Sequence, residues 1–125
     1  MNPLRFFTLD EFNCSCCGQN LMDRNFLTSL DTARGMAGIP FVITSGFRCA
    51  KHNGEVGGVF TSAHLIGKAA DIAAGDSRTR YQILMACSRV GITRFEIGPA
   101  HVHVDRDASK WPWVIDLVSA HKGGV

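Results

Sequence analysis

Two segments about thirty residues apart hold the side chains best suited to chemistry: Ser62-Ala63-His64-Leu65-Ile66-Gly67-Lys68-Ala69-Ala70-Asp71 and His101-Val102-His103-Val104-Asp105. Two imidazoles and a carboxylate, with a fourth position left open, are the donor set of a catalytic zinc ion. In the second segment a strand would put His101, His103 and Asp105 on one face and Val102 and Val104 on the other. Gly67 lies between His64 and Asp71, where a tight turn would send the chain back on itself. Asp71 sits in an apolar run of Ala69, Ala70, Ile72, Ala73 and Ala74, and a buried carboxylate is costly unless it is paired or bound to metal. An ion pair with Arg or Lys, or a role in orienting a histidine, would satisfy Asp71 equally. His52 and His121 have no such company and read as structural or solvated residues.

The elements that must position these groups can be read from periodicity and punctuation. Thr8-Leu9-Asp10-Glu11 has the form of a capping box and starts a short helical turn. A helix follows from about Met22 to Ala37, with Phe26, Leu27, Leu30, Ala33 and Ala37 in one stripe and Gly38 and Pro40 ending it. Phe41-Val42-Ile43-Thr44 is expected to be a central strand. The glycine-rich stretch Gly54 to Gly58 reads as a loop, and Ala70–Ala73 as a second strand. Ser77 would cap a helix running to about Val90, with Ile83, Leu84, Cys87 and Val90 on its buried side and Gly91 at its end. Ile92–Ile97 and His101–Asp105 are two further strands, joined through the turn residues Gly98 and Pro99. Trp111-Pro112-Trp113 leads a last apolar segment to Val118, and Gly123-Gly124-Val125 reads as a loose tail. This order favours an α+β fold, a small antiparallel sheet with helices packed on one side.

At 125 residues and 46% apolar content the chain is expected to be a single domain, residues 1–125, with one core. The formal charge of +2 and the scattered basic residues argue against a nucleic-acid partner. No run is long and apolar enough for a membrane span, and the N-terminus lacks the apolar run and cleavage site of a signal peptide. Synthesis in the cytoplasm, no membrane partner and a monomeric state are therefore expected. Five cysteines without an export signal argue against an obligate disulfide framework.

The first segment resembles the Ser-x-His-x-x-Gly-x-Ala-x-Asp signature of the zinc D-alanyl-D-alanine carboxypeptidase family. That family includes phage endolysin peptidases and shares its fold with the hedgehog signalling domain. Thr44-Ser45-Gly46-Phe47-Arg48 is similar to its Ser-Gly-aromatic-Arg element, and His101-Val102-His103 to its His-x-His. The match runs in order from about Phe7 to Asp105. The resemblance implies zinc held by His64, Asp71 and His103, with Arg48 hydrogen-bonding the oxyanion or a substrate carboxylate. It implies a zinc metallopeptidase that cuts the peptidoglycan stem peptide, as a D-Ala-D-Ala carboxypeptidase or an L-Ala-D-Glu endopeptidase. A phage-type endolysin, reaching the cell wall after holin-type release, fits the small size. Ser62 would bind substrate backbone or cap the turn.

One position departs from the family pattern. Where these peptidases often carry a carboxylate three residues before the last zinc-binding histidine, this chain has Ala100. Glu96, His101 and Asp105 then compete for the proton-transfer role, with Asp105 alternatively orienting a histidine. A non-catalytic zinc-binding or cell-wall-binding module is the alternative that Ala100 supports. Cys14, Cys16, Cys17 and Cys49 could hold a structural zinc, although only Cys14 and Cys17 have Cys-x-x-Cys spacing; free thiols are the plainer expectation. Cys87 should be a packed thiol. Trp111 and Trp113 could flank a groove, though covering the core is the commoner task.

Overall fold

Capping chemistry sets the first elements of the chain, whose computed structural model describes residues 4–59 and 61–117. Glu11 accepts a hydrogen bond from the Thr8 N–H at 2.7 Å and opens a 3-10 turn over Leu9–Phe12. Helix α1 (Arg24–Ala37) starts at Asp23, whose carboxylate accepts from the Phe26 N–H at 2.9 Å, and ends at Gly38 in the left-handed region. Phe26, Leu27, Leu30 and Ala33 form its buried stripe. Asp31 is buried on the same helix because its carboxylate accepts the N–H groups of Arg5, Phe6 and Phe7, which docks the N-terminal segment.

Five strands follow among the described residues: β1 (Ile43–Ser45), β2 (Ala69–Ala73), β3 (Arg94–Ile97), β4 (His101–Asp105) and β5 (Trp113–Asp116). Their order across the sheet is β1-β2-β4-β3-β5. Pairing is antiparallel from β1 to β3, and β5 joins β3 in parallel, so the α+β fold has a mixed sheet. Helix α3 (Ser77–Arg89) connects β2 to β3 and packs on α1. One face of the sheet supplies Ala70, Ile72, Phe95, Val102 and Val104 to a core shared with Phe26, Leu27, Leu30, Ile83 and Cys87. The opposite face carries Asp71, Arg94, Glu96, His101, His103 and Asp105 toward a cavity. Period-two alternation thus separates core from site.

Several sequence expectations change in detail. The strand near Phe41 is an edge strand, since β2 pairs with β1 on one side and gives its full length to β4 on the other. Part of the expected Gly54–Gly58 loop is helical: α2 (Ala50–Glu55) starts at Cys49, whose sulfur accepts from the His52 N–H. Asp76, one residue before Ser77, caps α3 by accepting from the Thr79 N–H at 2.7 Å. The segment after Trp111 forms β5, while its end at Val118, His121 and the glycine tail lie outside the described residues. Among the described residues no helix is long and apolar enough to cross a membrane.

Gly67 makes the turn between the two halves of the first motif. Its φ of +71° lies in the left-handed region, and a Cβ there would fall 2.6 Å from Met22 Cα and against the Leu21 carbonyl. Its own carbonyl accepts from the Asp23 N–H at 2.9 Å, so the turn is locked to the start of α1. Gly67→Ala is expected to destabilise the protein by about 2 kcal/mol or more, from the left-handed backbone and the clash together. Chemical denaturation would check this, and a loss under about 0.5 kcal/mol, the range of neutral surface changes, would refute it.

Candidate metal centre

Three elements meet at the site. Residues Ala63–Ile66 form a 3-10 turn, begun by Ser62, whose Oγ accepts from the His64 N–H at 3.2 Å. Gly67 then turns the chain into β2, which brings Asp71 directly opposite His103 of β4. Glu96 of β3 is the partner of His103 on its other side. Asp71, His103 and Glu96 therefore form one row across three strands, on the face away from the core.

His64 Nε2, Asp71 Oδ1 and His103 Nδ1 form a triangle with sides of 3.0, 3.2 and 3.3 Å. A tetrahedral zinc ion bonded at about 2.0–2.1 Å needs donors about 3.3 Å apart, so the donor set fits. The tautomers fit as well. His64 Nδ1 is 2.7 Å from the Gly46 carbonyl, which can only accept, so Nδ1 carries hydrogen and Nε2 presents a lone pair. His103 Nε2 donates to Asp105 Oδ2 at 2.7 Å, turning Nδ1 to the centre of the triangle. Such outer partners fix ring orientation in metal-binding histidines. These three residues could hold a metal ion.

Electrostatics agree with a cation at this point. Burial would raise the Asp71 carboxyl, but hydrogen bonds from His103 and His64 outweigh it and hold the group well below the usual carboxylate range. Burial opposes charge on His103 too, yet Asp105 and Asp71 prevail and push its pKa up to about 9. At neutral pH a proton thus sits on Nδ1, where a metal ion would compete with it. Apparent zinc affinity here should fall about tenfold for each pH unit below about 9, with one proton released per ion bound. The sign is consistent with stability linkage. A raised folded pKa stabilises the metal-free protein fully below the unfolded value of about 6.5, and that contribution is lost as pH rises through 9. Zinc titrations against a competing chelator at several pH values would check this; an affinity unchanged between pH 6.5 and 9 would refute it.

Arg48 donates to Asp71 Oδ2 at 3.2 Å, to Ser45 Oγ at 3.1 Å and to Asn53 Oδ1 at 3.4 Å. It leaves Asp71 Oδ1 to the histidines and keeps two of its five N–H donors for a ligand. Asp105 is buried and fully engaged: besides His103 it forms an ion pair with Arg94, whose Nε stands 3.1 Å from Oδ1, and it accepts from the Asp107 N–H at 3.1 Å. Glu96 and His101 line the cavity, and among the described residues the Glu96 carboxylate makes no hydrogen bond or ion pair. The His101 ring lies over Gly98, where a Cβ would come within 2.6 Å of Nδ1. Ser62 caps its turn and also lines the cavity. His52, read as structural, stands 3.9 Å from Glu55 on α2.

Arg94 escaped notice in the sequence. It is 4% exposed, anchors Asp105, donates to the Trp111 carbonyl and lies 4.1 Å over the Trp113 ring. The alternation of Arg94 and Glu96 with Phe95 and Ile97 was the available signal. Trp113 is accordingly at the cavity rim, and Trp111, at 86% exposure, covers no core. Asp105→Asn is expected to weaken zinc binding about 10–100-fold by loosening His103. Chelator competition measures this, and unchanged affinity would rule out an orienting role.

The cavity holds about 490 Å³ and is also lined by Gly57, Val59, Thr61 and Lys110. Lys110 Nζ donates to the Thr61 carbonyl at 2.7 Å and pairs with Asp107. A family model described as Peptidase M15 matches residues 5–105, a span that ends with the last residue of β4. No curated protein matches the chain.

Proposed function

The chain belongs to the peptidase M15 family of zinc-dependent peptidases, and from that premise we propose that it cuts a peptide bond in the stem peptide of peptidoglycan. His64, Asp71 and His103 hold the zinc ion; the observation that carries this assignment is the triangle of donors, each turned inward by its own outer partner. Bound zinc supplies Lewis acidity, which polarises a carbonyl oxygen and makes water more acidic. The remaining steps fall to side chains of this chain. Glu96, facing His103 without a partner of its own among the described residues, takes the proton from the attacking water and delivers it to the leaving amine. His101 lies on the same face and donates toward the developing oxyanion, together with the spare N–H groups of Arg48. Asp105 holds His103 in orientation. Ser62 binds substrate backbone at the cavity rim in addition to capping its turn.

The spare N–H donors of Arg48 at the cavity suit a substrate carboxylate, and stem peptides present free carboxylates beside both candidate bonds. The bond is D-Ala-D-Ala, in a carboxypeptidase, or L-Ala-D-Glu, in an endopeptidase. We place the protein at the cell wall as a phage-type endolysin released through a holin, a monomer with one metallopeptidase domain over residues 1–125.

Mass spectrometry of peptidoglycan digested by the zinc-loaded protein tests the substrate. A fragment with a new amine at one stem-peptide bond is the expected result and names the bond. No new amine from any peptidoglycan, alongside cleavage of unrelated peptides, would overturn the substrate assignment.

A further inference from the structure

A second group of metal-binding atoms stands apart from the cavity. Cys14, Cys16, Cys17 and Cys49 bring their sulfurs within 4.8 Å of one another, although Cys49 is 35 residues from Cys14 in the chain. Three of the separations are 3.8 Å (Cys14 to Cys16), 3.7 Å (Cys14 to Cys49) and 3.3 Å (Cys16 to Cys49). Tetrahedral zinc with bonds of about 2.3 Å to sulfur needs sulfurs about 3.8 Å apart. We propose that these four cysteines hold a second zinc ion, structural in role, distinct from the one at His64, Asp71 and His103.

The backbone is arranged for it. Cys14 to Gly18 closes a tight loop, with the Gly18 N–H donating to the Cys14 carbonyl at 2.8 Å and Gly18 at φ +75°. The Cys14 N–H in turn donates to the Gln19 carbonyl at 2.8 Å. Amides also point at the sulfurs: the Cys49 N–H donates to Cys14 Sγ at 3.4 Å and the His52 N–H to Cys49 Sγ at 3.4 Å. Hydrogen bonds of this kind stabilise thiolates, the form that binds metal. Sulfurs this close cannot all ionise unless a cation sits among them.

Location gives the ion its task. The Phe47 N–H donates to the Phe12 carbonyl at 2.8 Å, and a Cβ at Gly46 would stand 2.6 Å from Phe12 Cα, so the two cysteine-bearing segments run in contact. An ion binding both would fix Gly46, whose carbonyl orients His64, and Arg48, which holds Asp71. His52 and Glu55 also approach Cys16, but four thiolates form the stronger zinc set.

Metal counting and cobalt spectroscopy test the proposal. Wild type purified under reducing conditions is expected to hold two zinc ions per chain. His103→Ala should hold one, and a thiol-blocking mercurial should release that one. Cobalt-substituted wild type and His103→Ala should both show an intense thiolate-to-cobalt charge-transfer band, a readout that needs no cysteine variant to fold. Cys16→Ser should weaken and shift the band, since three thiolates remain, and an unchanged band would remove Cys16 from the site. One zinc per chain in wild type with no thiolate band would overturn the proposal, as would a disulfide between any two of these cysteines in the reduced, zinc-supplied protein.

Discussion

His103→Ala is expected to abolish peptide hydrolysis while the chain stays folded. The metal at such a site contributes several kcal/mol to the transition state, and each 1.36 kcal/mol is tenfold in rate, so kcat/KM should fall by about 10³ or more. Folding should survive because the substitution orphans no charge. Asp71 keeps its ion pair with Arg48, and Asp105 keeps Arg94 and the Asp107 N–H. The missing ring borders the cavity, where water can replace it, and the apolar core on the other face is untouched. Activity and zinc content should fall together, with the circular dichroism spectrum retained. A variant that keeps wild-type activity would remove His103 from the metal site.

Glu96→Gln should separate proton transfer from metal binding. The substitution keeps the shape of the side chain and removes its basicity, so kcat should drop about 10²–10⁴-fold with zinc content unchanged. Glu96 is favoured over its competitors for stated reasons. Asp105 already has His103, Arg94 and a backbone amide on its oxygens, whereas the Glu96 carboxylate lies across the strand from His103 without such partners among the described residues. His101→Ala is expected to cost less, since Arg48 shares its role. Steady-state kinetics on the two variants would decide. A Glu96→Gln enzyme with near-wild-type kcat, beside an inactive His101→Ala enzyme, would transfer the role to His101.

Much of this arrangement was legible because it follows from local rules. Alternation in His101–Asp105 separated Val102 and Val104 from the polar face, and pairing with β2 then placed Asp71 opposite His103. Gly67 announced its turn by residue type alone, as did Gly38 at the end of α1. What escaped depends on contacts between residues distant in sequence. The parallel pairing of β5 with β3 brings Trp113 under Arg94, and nothing near either residue signals it. β1 looked central because Phe41, Ile43 and Thr44 are good strand formers, but edge or centre is decided by the neighbours that β2 accepts. The Gly46 carbonyl that sets the His64 tautomer is a backbone group, invisible to any motif of side chains. Cys49 joins Cys14 only once the Phe47 N–H finds the Phe12 carbonyl.

Diffraction from zinc-loaded crystals, measured on both sides of the zinc absorption edge, tests the metal assignment most directly. An anomalous peak about 2.0–2.2 Å from His64 Nε2, Asp71 Oδ1 and His103 Nδ1 is the expected result. Zinc bound elsewhere on the chain, with none touching these three atoms, would contradict it.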